Sequence, residues 1–177
     1  MAGKKSPNGS RSDPEGTEAR HAPMREFSRS LPMSLLRARE AVMRQFRPSL
    51  RNHGLTEQQW RILRALTAVE TIEVTDLARV AFLLGPSLSR ILRDLEARDL
   101  IERRTAKADL RRGEVSISSK GLKLIEAVAP TSEAIYAEIT SRYGARKLAE
   151  LQDMLAELER GLAEMEVAGE GDAEADE

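Results

Sequence analysis

The stretch that decides the fold is residues 101–118, IERRTAKADLRRGEVSIS. It begins with the apolar Ile101 and ends with the strand-like alternation Val-Ser-Ile of residues 115–117. An apolar entry, a polar loop and an alternating exit predict a β-hairpin. The hairpin carries five cations, which are Arg103, Arg104, Lys107, Arg111 and Arg112. So much like charge indicates a polyanionic partner, because such a partner would neutralise the repulsion.

Three short helices are predicted before this hairpin. Thr56 and Gln59 form a capping-box pair, which predicts a helix over residues 57–68. A second begins near Thr75, and Gly85 followed by Pro86 predicts a third over residues 86–99. Their predicted inward positions are Ile62, Leu63, Leu66, Leu77, Ala78, Ala81, Leu88, Ile91, Leu92 and Leu95. Helix, turn, helix and basic hairpin is the order of a winged helix-turn-helix, whose second helix enters the DNA major groove.

Longer helices flank this unit. The first is predicted over residues 31–50, with Pro48 expected to bend or interrupt it. A long helix follows Gly121, with Pro130 expected to kink or divide it. The inward positions of the first helix are Leu35, Leu36, Val42, Met43, Phe46 and Leu50, and those of the long helix are Leu122, Ile125, Val128, Ile135 and Ile139. Heptad spacing then links Leu148, Leu151, Leu155, Leu158, Leu162 and Met165, which suits packing on another helix or, alternatively, on the chain's own core.

The predicted fold is mainly α with a small β-hairpin, the wing. Its ordered domain spans residues 29–166, with the winged helix-turn-helix at about 55–120 and dimerisation helices at about 30–52 and 121–166. Residues 1–28 and 167–177 are predicted to be disordered tails because they are rich in polar and small residues. From Gly144 to the end, three cations face eleven acids, and since the whole chain carries −1, the preceding part carries +7. A basic body fits a polyanionic partner.

Other function classes lack a signature. The 177 residues contain no cysteine and two histidines, His21 and His53, and show no metal-ligand spacing, phosphate loop or nucleophile motif. We therefore expect no enzyme activity, cofactor or metal. No apolar run reaches about 18 residues and no secretory signal is present, so we expect a cytoplasmic protein without a membrane partner. A helical interaction module is the remaining alternative, and it leaves the basic hairpin unexplained.

The predicted recognition helix, residues 86–99, turns a polar face away from its leucines. Arg90 and Arg93 lie on that face, and Ser87 and Ser89 flank its N-terminal end. Arginine can bind guanine by a bidentate pair, and serine can bond a base or a phosphate. These four residues are the predicted base-reading set, and the alternative is an ordinary solvated helix face.

The wing residues resemble a known family. Residues 100–121, LIERRTAKADLRRGEVSISSKG, are similar to the wing of MarR-family transcription regulators, with its GLI-x-R entry, D-x-R tip and final LT-x-x-G. Asp109 and Arg111 match the D-x-R pair. The departures are Asp99 in place of glycine, which is expected to be left-handed, and Ile-Ser at 117–118 for Leu-Thr. The resemblance covers about residues 30–165. It implies that Arg111 and Arg112 contact the DNA backbone or minor groove while Asp109 braces an arginine.

Two upstream stretches resemble one subgroup of that family. Residues 35–48, LLRAREAVMRQFRP, and residues 53–61, HGLTEQQWR, are similar to regulators of homoprotocatechuate (4-hydroxyphenylacetate) breakdown. The resemblance implies a homodimeric repressor that is released by a small aromatic acid. Because a dimer presents two recognition helices about 34 Å apart, we expect a palindromic double-stranded operator. The alternative is a MarR-type regulator of another regulon, such as stress or efflux, with a different ligand or none.

Arg39 falls at the centre of the apolar face of the first helix, whereas Arg37, Arg44 and Arg47 fall off it and are expected to be solvated. A cation on a buried face must find an anion, because burying it unpaired is very costly. The partner could be Glu40, Glu57 or an acid of the dimer mate. The functional alternative is a ligand carboxylate, which matches the guanidinium fork.

Three more residues are candidates for this ligand site. His53 and Trp60 bracket the turn after the first helix and are predicted to line a cleft against it, with Ser34 nearby. The alternative is a tryptophan at the edge of the core and an exposed histidine.

Overall fold

The computed structural model describes residues 26–105 and 113–174, and for Thr105 and residues 164–174 it describes the backbone alone. After a 3-10 turn at Phe27–Arg29, the elements are α1 (Leu31–Asn52), α2 (Glu57–Leu66), β1 (Ile72–Glu73), α3 (Val74–Val80), α4 (Gly85–Ala97), β2 (Ile101–Thr105), β3 (Gly113–Ile117), α5 (Ser119–Tyr143) and α6 (Ala145–Glu174). Contacts divide the chain into two units, Met1–Arg39 and Glu40–Glu177. The predicted class, mainly α with a small β-hairpin, is confirmed.

The described part of the first unit is the turn at Phe27–Arg29 and the beginning of α1. The Ser30 hydroxyl donates a hydrogen bond to the Phe27 carbonyl oxygen at 2.9 Å, which joins the turn to the helix. Leu35 and Leu36, predicted to point inward, are 40% and 48% exposed. The apolar stripe of α1 is therefore open to solvent in a single chain at this end.

The core of the second unit lies where α2, α3 and α4 meet. Leu63, Leu77 and Leu92 are completely buried there, and burial of one leucine side chain stabilises the fold by roughly 1.5–3 kcal/mol. The start of α2 is fixed locally, because the Gln59 amide N donates to Thr56 Oγ1 at 3.2 Å while Gln59 Oε1 accepts from the Thr56 amide N at 2.9 Å. The capping box and the three predicted helices are confirmed, with α2 and α4 each ending two residues earlier than expected.

The wing belongs to a three-stranded antiparallel sheet in the order β1-β3-β2. Its hairpin was predicted, but β1 was not, because two residues are too few to show an alternating pattern. Val115 of β3 lies opposite Arg103 on one side and Ile72 of β1 on the other, and its side chain is fully buried. The strand β1 therefore connects the wing to the segment that enters α3.

The wing joins α5 through a tight contact around Asp99. This residue has φ 58°, which confirms the left-handed conformation expected of it. Its carbonyl oxygen accepts a hydrogen bond from the Ser118 hydroxyl at 2.6 Å, and Ser118 Oγ accepts one from the Gly121 amide at 3.0 Å. Ser118 is thus the N-cap of α5, which explains why serine can stand where the family motif has threonine.

Neither proline ends its helix. Pro48 lies inside α1, which continues to Asn52, and Pro130 lies inside α5, which continues to Tyr143. Interruption was one of the outcomes expected, and it does not occur. Each proline removes one backbone hydrogen bond, and packing holds the helix beyond it. In α1 this packing includes Leu50, which is buried, and the Phe46 ring, whose centroid lies 5.0 Å from that of Tyr136 on α5.

The helix α6 follows α5 at Gly144, whose φ of 95° favours glycine. Its backbone continues to Glu174, past residue 166 where the sequence analysis ended the ordered domain. Of the heptad positions, Leu155 and Leu162 are 41% and 47% exposed. Residues 1–25 and 175–177 of the two predicted tails lie outside the described residues. Within the described ranges, no helix combines the length and apolar character needed to cross a membrane.

Candidate nucleic-acid interface and effector residues

The fold presents one face of α4 to solvent. Leu88, Leu92 and Leu95 point into the core, and the predicted base-reading residues are all exposed. Pro86 stands in the first turn, where its missing N–H costs no helical hydrogen bond. The apolar period of α4 thus leaves Ser87, Ser89, Arg90 and Arg93 together on the open side of the helix.

The two arginines of that face keep their charge uncompensated by acids of the described chain. The ion pairs recorded between described residues include neither Arg90 nor Arg93, and the Arg93 Nε–H has only a long 3.4 Å hydrogen bond to the Ser89 carbonyl oxygen. The acid on this face, Asp94, accepts from Gln59 Nε2 at 2.6 Å and lies 3.5 Å from Arg98. Both arginines can therefore bind phosphate or a base edge without first breaking an internal ion pair.

A cleft of about 420 Å³ runs between the start of α2 and the exposed side of α4. It is lined by Thr56, Gln58, Gln59, Leu83, Ser87, Arg90, Ile91 and Asp94. The fold thus places two of the predicted DNA-binding residues, Ser87 and Arg90, beside the capped N-terminus of α2, a helix for which no DNA contact was predicted.

The base of the wing is less positive than its sequence suggests. Arg103 lies 3.6 Å from Glu96 of α4, and Arg104 lies 2.8 Å from Glu102 and opposite Glu114 in the sheet. The expectation that a partner neutralises all five cations is therefore wrong for these two, because acids of neighbouring elements already lie beside them. The other wing residues singled out from the sequence, Lys107, Asp109, Arg111 and Arg112, lie outside the described residues.

Two of the predicted ligand residues lie on α1 within the first unit. Arg39 and Ser34 both have exposed side chains. The expectation that Arg39 sits on a buried face is wrong for the single chain, because the apolar stripe on which it lies is itself open to solvent, with Leu35 40% and Val42 41% exposed. Periodicity located the apolar face of α1 correctly, but it could not show that one chain leaves that face uncovered.

The other two lie in the second unit and are half-buried. His53 places Nδ1 2.9 Å from the Ser49 carbonyl oxygen, and Trp60 packs against the edge of the core. The Arg64 guanidinium lies over the Trp60 ring, with Cζ 5.9 Å from the ring centroid, within the range of a cation–π contact. Arg64 was not predicted as part of this site, although its position four residues after Trp60 on the same helix face was the available signal.

A cluster of charges joins α1 to α2. Arg47, expected to be solvated, is half-buried and binds Glu40 at 2.6 Å and also Glu57. The hydrogen bonds that Arg47 donates to the carboxylates of Glu40 and, second, Glu57 raise the pKa of Arg47 above its ordinary value. Since arginine is already charged at neutral pH, Arg47 can hold the two helices together through both carboxylates.

A second cleft, of about 550 Å³, opens between α1 and α5. Its lining is mostly apolar, and the lining residues are Ala41, Val42, Gln45, Thr131, Ala134, Ile135, Glu138, Ile139, Arg142 and Tyr143. The described ranges contain no group of three or more histidine, aspartate or glutamate side chains that could hold a metal ion.

Comparison with known proteins follows the same lines. The MarR family model matches residues 53–112. The chain is 39% identical over 142 residues to the HTH-type transcriptional regulator FarR of Neisseria gonorrhoeae, covering 80% of this chain and 92% of FarR. It is 38% identical over 128 residues to the homoprotocatechuate degradative operon repressor of Escherichia coli, covering 72% and 86%. The solved structure of NadR in complex with 4-hydroxyphenylacetate is similar with a TM-score of 0.67 and 39% identity, covering 77% of this chain and 97% of NadR.

Proposed function

We propose that this chain, which belongs to the MarR family of transcription regulators, is a homodimeric repressor of an aromatic-acid catabolic operon. In this proposal it binds a palindromic operator and a small aromatic carboxylate releases it. The observation that carries DNA reading is the open face of α4, where Arg90 and Arg93 are exposed and take no part in ion pairs between described residues. In helix-turn-helix proteins the second helix of the pair lies in the DNA major groove, so DNA is the proposed partner of that face.

Sequence reading is assigned to α4 and affinity to the wing. An arginine in the major groove can bind guanine through two hydrogen bonds, which distinguishes bases, whereas a cation on a phosphate attracts any sequence. The wing tip with Arg111 and Arg112 takes the second role in this proposal. The paired state of Arg103 and Arg104 supports the division, because it leaves the base of the wing close to neutral.

Dimerisation is proposed through the apolar faces of α1, α5 and α6. Val42, Tyr143, Met154 and Leu155 are each more than 40% exposed. The cleft between α1 and α5 adds an apolar depression that side chains of a second copy could fill. A two-fold dimer would present two α4 helices about 34 Å apart, which matches half-sites one helical turn apart and requires a roughly palindromic operator.

The effector is proposed to be a small aromatic acid on the strength of the relatives, one named for the homoprotocatechuate operon and one solved with 4-hydroxyphenylacetate. Arg39 is the proposed partner of the carboxylate, and Ser34, His53 and Trp60 complete the proposed set. Release would be a population shift, in which the ligand favours a spacing of the two α4 helices that no longer fits successive major grooves. A ligand that binds the DNA-free form 100-fold more tightly weakens DNA binding by the same factor, about 2.7 kcal/mol.

A mobility-shift experiment with the DNA upstream of the protein's own gene tests this proposal. We expect one retarded band at protein concentrations that leave scrambled DNA of equal length free. When phenylacetates, benzoates or cinnamates are added in turn, at least one acid should abolish that band, while the matching primary amides should leave it unchanged. A band that forms equally on scrambled DNA would contradict operator binding, and a specific band that no acid dissolves would contradict the effector assignment alone.

A further inference from the structure

We infer that Gln59 is a positioning residue for the recognition helix, and that its hydrogen bond to Asp94 sets the preference for operator over random DNA. The inference rests on the proposed reading of bases by α4. Gln59 belongs to α2, a helix without a proposed DNA contact, and only 8% of its surface is exposed. Its influence on DNA would therefore act through Asp94.

Both ends of the Gln59 amide are engaged. Oε1 accepts from the Thr56 amide N at 2.9 Å, and Nε2 donates to Asp94 Oδ2 at 2.6 Å. A primary amide cannot exchange its oxygen and nitrogen without losing both bonds, so this side chain has one orientation. The cap that starts α2 therefore also determines where the donor to α4 points.

The hydrogen bond contacts α4 beside the two arginines, whose direction depends on the rotation of this helix about its axis. Asp94 lies one helical turn after Arg90 and next to Arg93, on the exposed side of the helix. Because a helix moves as a rigid body, a change at Asp94 turns the two arginines with it. Leucine packing on the opposite side is non-directional, whereas a hydrogen bond weakens steeply with angle and so restrains rotation about the helix axis.

Rotation of α4 affects the two kinds of DNA contact unequally. A bidentate arginine–guanine pair needs both hydrogen bonds aligned, so a small turn of the helix removes discrimination between bases. Attraction to phosphates acts over longer distances and tolerates the same turn. Loss of the Gln59–Asp94 bond should therefore lower affinity for the operator more than affinity for random DNA.

Four variants separate this bond from charge and from capping. Gln59→Glu keeps a carboxylate oxygen for the cap, since glutamate also serves in a capping box, but places it against the Asp94 carboxylate. Asp94→Asn keeps an acceptor oxygen for Gln59. Gln59→Glu combined with Asp94→Asn restores the bond with donor and acceptor exchanged. Asp94→Ala removes the acceptor and matches Asp94→Asn in charge.

Fluorescence anisotropy at one salt concentration would give the ratio of random-DNA Kd to operator Kd for each variant, after thermal unfolding has shown which variants fold. We expect Gln59→Glu and Asp94→Ala to lower this ratio about tenfold. Asp94→Asn and the double variant should stay within about threefold of wild type. Asp94→Asn removes a negative charge that repels DNA, whereas the double variant keeps the net charge of the wild type. Recovery in the double variant is the outcome that a merely structural role for Gln59 does not predict.

A folded Gln59→Glu with the wild-type ratio would overturn the inference, and so would a double variant that stays as poor as Gln59→Glu. If Gln59→Glu does not fold, the pair Asp94→Ala and Asp94→Asn decides alone, and equal ratios for these two overturn it. A wild-type protein that binds operator and random DNA equally would overturn the proposed function together with this inference.

Discussion

A Cβ atom on Gly121 would lie 2.2 Å from the carbonyl oxygen of Leu100. The neighbouring oxygen belongs to the backbone of Leu100, so no side-chain movement can relieve the clash. The missing side chain of Gly121 allows the first turn of α5 to pack directly on the chain that enters the wing, beside the Ser118 cap and the left-handed Asp99. The final glycine of the wing motif is therefore a packing requirement.

The substitution Gly121→Ala should lower the free energy of unfolding by about 3 kcal/mol, because the added methyl group forces two backbone segments apart. Urea unfolding followed by circular dichroism would measure it. Gly161→Ala is the matched control, since no atom approaches its position on α6 within 4 Å. It should be neutral or stabilise the helix by up to about 1 kcal/mol. Equal stability of Gly121→Ala and wild type would show that the two segments do not meet as described.

What the sequence predicted and what it missed follow from the range of the interactions. The cap at Thr56 and the leucine period of α4 are local, so both could be predicted from neighbouring residues. The bond from Gln59 to Asp94 and the pair of Arg103 with Glu96 join distant parts of the chain. Their existence depends on how the helices pack, and no spacing pattern indicates it.

The candidate effector residues show a second limit. Periodicity placed Arg39 on an apolar face, and that face exists, but exposure depends on what covers it. Val42 on the same helix is 41% exposed, and the cover proposed for α1 is a second copy of the chain. Sequence patterns mark a face that needs burial and do not distinguish an internal cover from an external one.

Phe82 offers a test of strain in the turn between α3 and α4. Its φ is 50° and its side chain is 77% exposed, so it holds a left-handed backbone with little burial in return. Phe82→Gly should raise the free energy of unfolding by about 1 kcal/mol, because glycine adopts this conformation without the Cβ clash. Asp99→Gly, at φ 58°, should gain less, since aspartate tolerates the conformation and its carboxylate lies 3.3 Å from Lys120 Nζ. Thermal unfolding of both variants would check this, and destabilisation by Phe82→Gly would argue against strain there.

Assembly can be tested on α6. Replacing Leu151, Leu155 and Leu158 with glutamate should convert the proposed dimer to a monomer at micromolar concentration, because charges would then occupy its apolar seam. Light scattering after size exclusion would give the mass. Gln152, Asp153 and Glu157 are exposed on the same helix, and Gln152→Glu is a control that should leave the mass unchanged. A triple variant that remains dimeric, or a wild type that is monomeric, would contradict this interface.

The effector assignment distinguishes two arginines. Arg39→Met keeps the side-chain volume and removes the charge, so it should leave operator affinity within about threefold but abolish release by the active aromatic acid. Arg64→Met is the matched variant, because Arg64 lies over the Trp60 ring and its side chain, like that of Arg39, is exposed. Calorimetry with the acid against wild type and both variants would decide between them. If Arg39→Met binds the acid as tightly as wild type while Arg64→Met does not, the carboxylate belongs to Arg64.

The proposal that the exposed face of α4 reads bases can be tested with a set of operator duplexes that each carry one substituted base pair. Titration of wild type and Arg90→Ala against the whole set should show that the variant loses about 1–3 kcal/mol of discrimination at one position and keeps it elsewhere. Arg112→Ala should instead weaken binding to every duplex alike and reduce the salt slope by about 1. If Arg90→Ala keeps the wild-type preference at every position, or weakens all duplexes equally as the wing variant does, then this face of α4 does not read the operator.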